Sequence, residues 1–290
     1  MPALGLSLGL SFARPSGGAA APFVPPLDEL VSQGATCLYA ASQYRLVSSH
    51  TGPIARLQGN GTGSPEADIG YLSNGQIDLA AASAIATQDG GNEAFGVTWY
   101  GQLGGRNATQ SSAASRMPFS TVMNAKGGWG NGVAQSGVGF SLNLGTLVLP
   151  VFFSIVAKYE YEGAIRTLIG DFSTASNRYV RISSSTLQSN WGTALNGTLG
   201  DVTSGVYALG FLANGTSSKH YRNGTLLTTG NAGNTQLGMS GGRIGRTISN
   251  STVYLAGAGN AILEVIVFNM DPTSLPGWSS FVTNQLARFA

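Results

Sequence analysis

From about residue 95 onward the hydrophobic pattern is one of short strands separated by glycine, asparagine and aspartate. Residues 261–269, Ala-Ile-Leu-Glu-Val-Ile-Val-Phe-Asn, form the clearest strand, and Asp271-Pro272 ends it. Residues 147–158 are a continuous run rich in Val, Ile and Phe, the pattern of a strand buried on both faces. Further strands are predicted at 165–171, 179–183, 206–212, 218–222 and 225–229. Asn223-Gly224 joins the last two, and this pair favours a type I′ hairpin because both central residues then need positive φ. Short helices are predicted at 27–32, at 76–86 and at 274–289. The last carries Trp278, Phe281, Val282 and Leu286 on one face. Two facing sheets accommodate this set of strands, so an all-β sandwich is expected over 31–290.

Residues 1–30 differ from the rest. Leu4, Leu6, Leu8, Leu10 and Phe12 alternate with small or polar residues, and a Gly/Ala/Pro stretch with Pro25-Pro26 follows. This is the pattern of an extended arm on a polyproline-like linker. Its apolar alternation needs a partner in water, so the five residues are expected to dock on another subunit. No basic residue precedes the apolar run, unlike a signal peptide. The longest apolar run later in the chain, 144–157, is interrupted by Pro150 and is too short to span a membrane.

Composition narrows the function classes. Charged residues make up 10% of the 290 and the net charge is +2, so no basic field holds nucleic acid. An apolar fraction of 42% argues against disorder, and 42 glycines fit many turns. Low charge also suits a surface covered by neighbours in an assembly. Cys37 is the single cysteine, which excludes an intrachain disulfide.

Candidate chemistry is sparse. No nucleophile elbow and no phosphate loop occurs. Glu66, Asp68, Asp78 and Asp89 are oxygen ligands of the type calcium takes, but no compact loop gathers them, so no metal or cofactor is expected. Glu160 and Glu162 share a strand face and read as a solvated edge. Glu264 reads as a structural pair or an outward residue, His50 as a turn residue and His220 as a face or rim residue. The Asn-X-Ser/Thr sites at Asn60, Asn107, Asn196, Asn214, Asn223 and Asn250 read as turn chemistry. Trp99 and Tyr100 are expected in the core. Trp129 in Gly-Gly-Trp-Gly-Asn-Gly and Trp191 in Ser-Asn-Trp-Gly-Thr are expected on loops, as candidate faces for stacking a sugar.

The segments 39–53, 67–71 and 97–110 (the last Val-Thr-Trp-Tyr-Gly-Gln-Leu-Gly-Gly-Arg-Asn-Ala-Thr-Gln) resemble the catalytic domain of fungal α-L-arabinofuranosidase B. They resemble still more closely phage virion proteins built on that scaffold. Tyr221 to Gly224, Gly242 to Gly245 and Glu264 to Asn269 resemble laminin-G and concanavalin-like families. The resemblances imply a concanavalin A-like jelly-roll sandwich. In the enzyme pattern an aspartate stands where this chain has Gly101, and an acid stands where it has Arg243. A guanidinium is no proton donor at working pH. The expectation is therefore a non-enzymatic virion protein, a head decoration, fibre or tail-associated adhesin on the particle surface. Its expected partners are other virion proteins, further copies of itself and host polysaccharide; nucleic acid and membrane are not expected. The alternative is a glycoside hydrolase of arabinofuranosidase type, which needs two carboxyls about 5–10 Å apart.

Overall fold

The structure is a computed structural model of the chain. It describes residues 23–120, 128–130, 138–160, 165–171, 178–183, 185–199, 204–234, 237–239, 241–245 and 260–289. Leu4, Leu6, Leu8, Leu10 and Phe12 lie outside them.

Two antiparallel layers form the body. In the back sheet the spatial order is Cys37–Ser42, Ala261–Phe268, Val151–Tyr159, Gly205–Ala213, Ser218–Arg222 and Thr225–Gly230. In the front sheet the order is Glu66–Ile69, Ala55–Gly59, Ala94–Trp99, Ala108–Thr109, Phe140–Leu142, Gly242–Ile244, Ile165–Asp171, Tyr179–Ser183, Thr186–Asn190 and Ala194–Thr198. Along one side the layers are hydrogen-bonded to each other. Pro118–Ser120 pairs with Ala94–Trp99 and with Gly128–Trp129, which in turn meets Ala261–Phe268. The all-β sandwich read from the sequence is the observed architecture.

Apolar alternation explains the layers. Leu57, Ile69, Phe140, Ile169 and Leu187 of the front sheet share a core with Phe153, Ile155, Phe211, Val265 and Val267 of the back sheet. The other face of the back sheet is also apolar, with Phe152, Val156, Leu212, Ile266 and Phe268. It is covered by Trp278, Phe281 and Val282 of the helix Trp278–Phe289, together with Leu27 and Leu30. All eight residues of Ala261–Phe268 are therefore buried, as expected of a strand apolar on both sides.

Local signals set several boundaries. Asp78 caps the helix Leu79–Thr87 by accepting from the Ala81 amide at 3.0 Å. The terminal helix begins at Trp278 rather than at 274, because Asp271 caps a separate 3₁₀ turn, Pro272–Ser274. The strand expected from 147 starts at Val151, after the cis Leu149–Pro150 bond; Thr146–Leu147 pairs instead with Leu237–Gly238. Asn223 (φ 52°) and Gly224 (φ 80°) make the predicted hairpin turn.

His220 departs from its expected place on a face or rim. It is fully buried between the sheets, with Nε2 2.7 Å from Ser189 Oγ and its ring 5.3 Å from Phe211. Burial pushes its pKa down from 6.5 to about 4. The folded chain keeps the ring neutral while the unfolded chain protonates it below about 6.5. Stability is thus fully present above 6.5 and falls as pH drops toward 4, by roughly 3 kcal/mol. Urea unfolding between pH 7 and pH 4.5 is expected to show this loss. In His220→Asn the slope is expected to flatten; an unchanged slope assigns the effect to other groups.

Candidate functional site

The front sheet differs from the back sheet on its outer side: among the described residues no helix covers it. Register carries one row across all ten strands: Asp68, Arg56, Thr98, Thr109, Ser141, Arg243, Gly170, Tyr179, Asn190 and Ala194. Directly opposed residues share a face, so the row is a polar strip on the outer surface. The strand neighbours of this row point inward and are apolar, among them Ile69, Trp99, Ile169 and Val180.

At one end of the strip stands a carboxylate cluster. Arg56 grips Asp68 with two parallel bonds, Nε to Oδ1 at 2.9 Å and Nη2 to Oδ2 at 2.8 Å. The Tyr100 hydroxyl donates to Asp68 Oδ1 at 2.8 Å. Two residues along the same strand, Glu66 accepts from Gln58 Nε2 at 3.1 Å and lies 3.6 Å from Arg116 Nη1. Arg116 also donates to Gln58 Oε1 and, through Nε, to the Gln110 carbonyl at 3.1 Å. Asp68 and Glu66 remain 39% and 37% exposed, so solvent and ligands reach both. The hydrogen bond from Arg56, with a further one from Tyr100, holds the Asp68 pKa below its usual value. Desolvation, and then the bond to Asp68, raises the Tyr100 pKa, so its hydroxyl stays a donor.

The 97–110 motif proves to be largely scaffolding. Trp99 is fully buried. Gln102 accepts from the Leu46 amide and donates to the Tyr44 carbonyl at 2.7 Å, and Gln110 donates to the Gly139 carbonyl at 2.6 Å. Tyr100, expected in the core, instead reaches the open face. A Cβ at Gly101 would lie 1.9 Å from the Arg106 carbonyl oxygen. This backbone therefore has no room for a carboxylate at that position. Arg243 stands in the middle of the strip, opposite Ser141 and Gly170.

Trp129 and Trp191 are corrected. Trp129 is 0% exposed, its ring 4.8 Å from both Phe119 and Phe140. Trp191 is 1% exposed and stacks on Phe153 at 5.2 Å. The surrounding glycines let the chain come close enough to enclose the rings rather than display them, so neither offers a face to a sugar. Glu264 is a buried structural partner of Gln285 and Arg288. His50 closes its turn, with Nε2 3.1 Å from the Pro53 carbonyl. Cys37 is largely buried, and burial raises its thiol pKa to about 12, which keeps it unreactive. Among the described residues no three His, Cys, Asp or Glu side chains gather as a metal site.

Sequence reasoning had singled out Glu66 and Asp68 only as oxygen ligands. The spacing Arg56-Leu-Gln58 opposite Glu66-Ala-Asp68 was the available signal, since period two puts all four polar side chains on one face.

No family model and no curated protein matches the chain by sequence. The architecture defines a two-layer β-sandwich, and solved structures share it. One is a GH54 α-L-arabinofuranosidase soaked with a cyclic sulfate inhibitor, with a TM-score of 0.64. Another is a mutant GH54 α-L-arabinofuranosidase soaked with 4-nitrophenyl α-L-arabinofuranoside, at 0.65. A third is an arabinofuranosidase complexed with arabinofuranosyl-α-1,2-xylobiose, at 0.62. Each is 14% identical to this chain and is matched over 92% of it; the chain spans 65–66% of their length. At that identity the likeness is one of fold.

The expectation that the chain is not an enzyme is corrected by this result. The three solved structures above, which share its architecture over 92% of the chain, are arabinofuranosidases. The expectation rested on acids missing at two motif positions. One of these is sterically closed, while two carboxylates stand together elsewhere on the open face.

Proposed function

We propose that this chain is a carbohydrate-active enzyme of glycoside hydrolase type, working at the open face of the front sheet on arabinofuranoside-like substrates. The observation that carries the proposal is the Asp68–Glu66 pair. Alternate residues on one strand face lie ~7 Å apart, within the range in which two carboxyls flank a glycosidic bond. Asp68, held ionised by Arg56, suits the role of base or nucleophile. Glu66 supplies the second carboxyl, and Tyr100 donates a hydrogen bond that orients Asp68.

Hydrolysis of 4-nitrophenyl α-L-arabinofuranoside tests this. Asp68→Asn and Glu66→Gln are each expected to lower kcat by about 10²–10⁴-fold with the unfolding transition unchanged. Wild-type rates in both variants, or no turnover of any aryl glycoside by the parent chain, refute it.

A second reading concerns placement. The period-two apolar run at 4–12 supports docking on a larger particle, a phage virion. Deleting residues 1–22 is expected to leave the sandwich folded and to prevent incorporation. Incorporation at the parental level refutes the docking.

A further inference from the structure

The two halves of the open face differ in charge. At the Asp68 end each arginine is matched by a carboxylate, Arg56 by Asp68 and Arg116 by Glu66. At the other end lie Tyr179–Ser183, Thr186–Asn190 and Ala194–Thr198, whose burial alternates strictly. Their outward positions carry hydroxyls, amides, one alanine and a single guanidinium, Arg181, and no carboxylate. Asp201, three residues beyond the last of these strands, lies outside the described residues; Asp171, at the end of the adjoining strand, is buried and paired with Arg178 at 3.2 Å.

Arg181 is held in place. Its guanidinium lies 4.0 Å above the Tyr179 ring, and its Nε donates to Gln188 Oε1 at 2.7 Å. Stacking and this brace fix the plane of the group while leaving the Nη fork for another acceptor. Gly170, between Tyr179 on one neighbouring strand and Arg243 on the other, is buried, so Arg181 and its stacked Tyr179 are what this part of the strip presents. Carboxylate is the planar acceptor that matches the fork in two parallel bonds.

We propose that this half of the face is a subsite for an acidic sugar unit, a uronate, whose carboxylate pairs with Arg181. This inference rests on the reading of the open face as a carbohydrate surface, and it narrows the substrate class to glycans bearing carboxylated units.

The test is isothermal titration of the full chain with a uronate-bearing xylo-oligosaccharide and with the same oligosaccharide after reduction of its carboxyl to a primary alcohol. The acid form is expected to bind about tenfold more tightly at low salt, with the gap narrowing as salt rises. In Arg181→Gln the two forms are expected to bind alike. In Arg181→Lys part of the preference remains, because charge survives without the fork. Equal binding of the two forms by the parent chain, binding of neither, or a preference undiminished in Arg181→Gln overturns the subsite. Asp68→Asn keeps the preference under this proposal, since the carboxylate pair lies at the other end of the strip. A chain that binds the acid form selectively but cleaves no glycoside refutes the hydrolase reading and leaves the subsite standing.

Discussion

Trp129→Ala is expected to lower the unfolding free energy by about 3–5 kcal/mol, the cost of removing a large ring from a close-packed interior. Trp129 is fully enclosed and sits where the two layers join, since its strand bridges Pro118–Ser120 and Ala261–Phe268. Phe119, Phe140 and Trp99 surround it at 4.8, 4.8 and 5.7 Å. Gly96 lies beneath: a Cβ there would come within 2.3 Å of Phe140 and 2.6 Å of Trp129. Rings packed this closely around a glycine cannot collapse into the space an alanine would leave. Trp129→Phe is expected to cost much less, because it keeps most of the ring volume and removes an indole N–H that has no partner among the described residues. Urea denaturation with the m-value monitored measures both. A Trp129→Ala chain with an unchanged midpoint and weakened glycan binding would return this residue to the surface.

The second large effect is expected from Arg288→Met, a loss of about 3–5 kcal/mol through stranding a buried acid. Glu264 sits fully buried in a central strand of the back sheet, opposite Ser42 and Val156. Arg288 Nη2 binds its Oε2 at 2.8 Å, and Gln285 Nε2 binds its Oε1 at 2.6 Å. Gln285 also donates to Ser154 Oγ at 3.0 Å. Three hydrogen bonds thus clamp the terminal helix to the sheet it covers. Total stability of a domain is only about 5–15 kcal/mol, so the variant lies near the folding threshold. The double change Glu264→Gln with Arg288→Met is expected to recover much of the loss, because no uncompensated charge remains. Single changes that cost less than about 1 kcal/mol, or a double change no better than the worse single one, would show that the helix is held by Trp278 and Phe281 alone.

Much of the fold was legible because it is coded locally. The run Ala-Ile-Leu-Glu-Val-Ile-Val-Phe is apolar at nearly every position and became a strand buried on both faces. Asn223-Gly224 required a tight hairpin, and the helix expected over 76–86 runs from Leu79 to Thr87 behind its Asp78 cap. Thr186–Asn190 and Ala194–Thr198 were not read in advance. Apart from Ala194 their outward residues are hydroxyls and amides, and their inward ones include Ser189 and Gly197, so apolar alternation is weak. Trp129 and Trp191 were placed on loops because glycine and asparagine surround them. In the folded chain the same small residues permit close approach, and the rings go inside.

The candidate site was less legible than the fold. Asp68 meets Arg56, 12 residues away, and Tyr100, 32 residues away, only because three strands pair in one register. No local pattern specifies which strands become neighbours. Residue order alone determined that this chain builds two layers of short strands, since side-chain alternation and turn chemistry act over a few positions. The tertiary structure alone decided which sheet face is roofed by helices and which stays open, and hence which acids stand together in solvent. That choice depends on the long-range pairing of strands and on where the terminal helix finds apolar surface to cover.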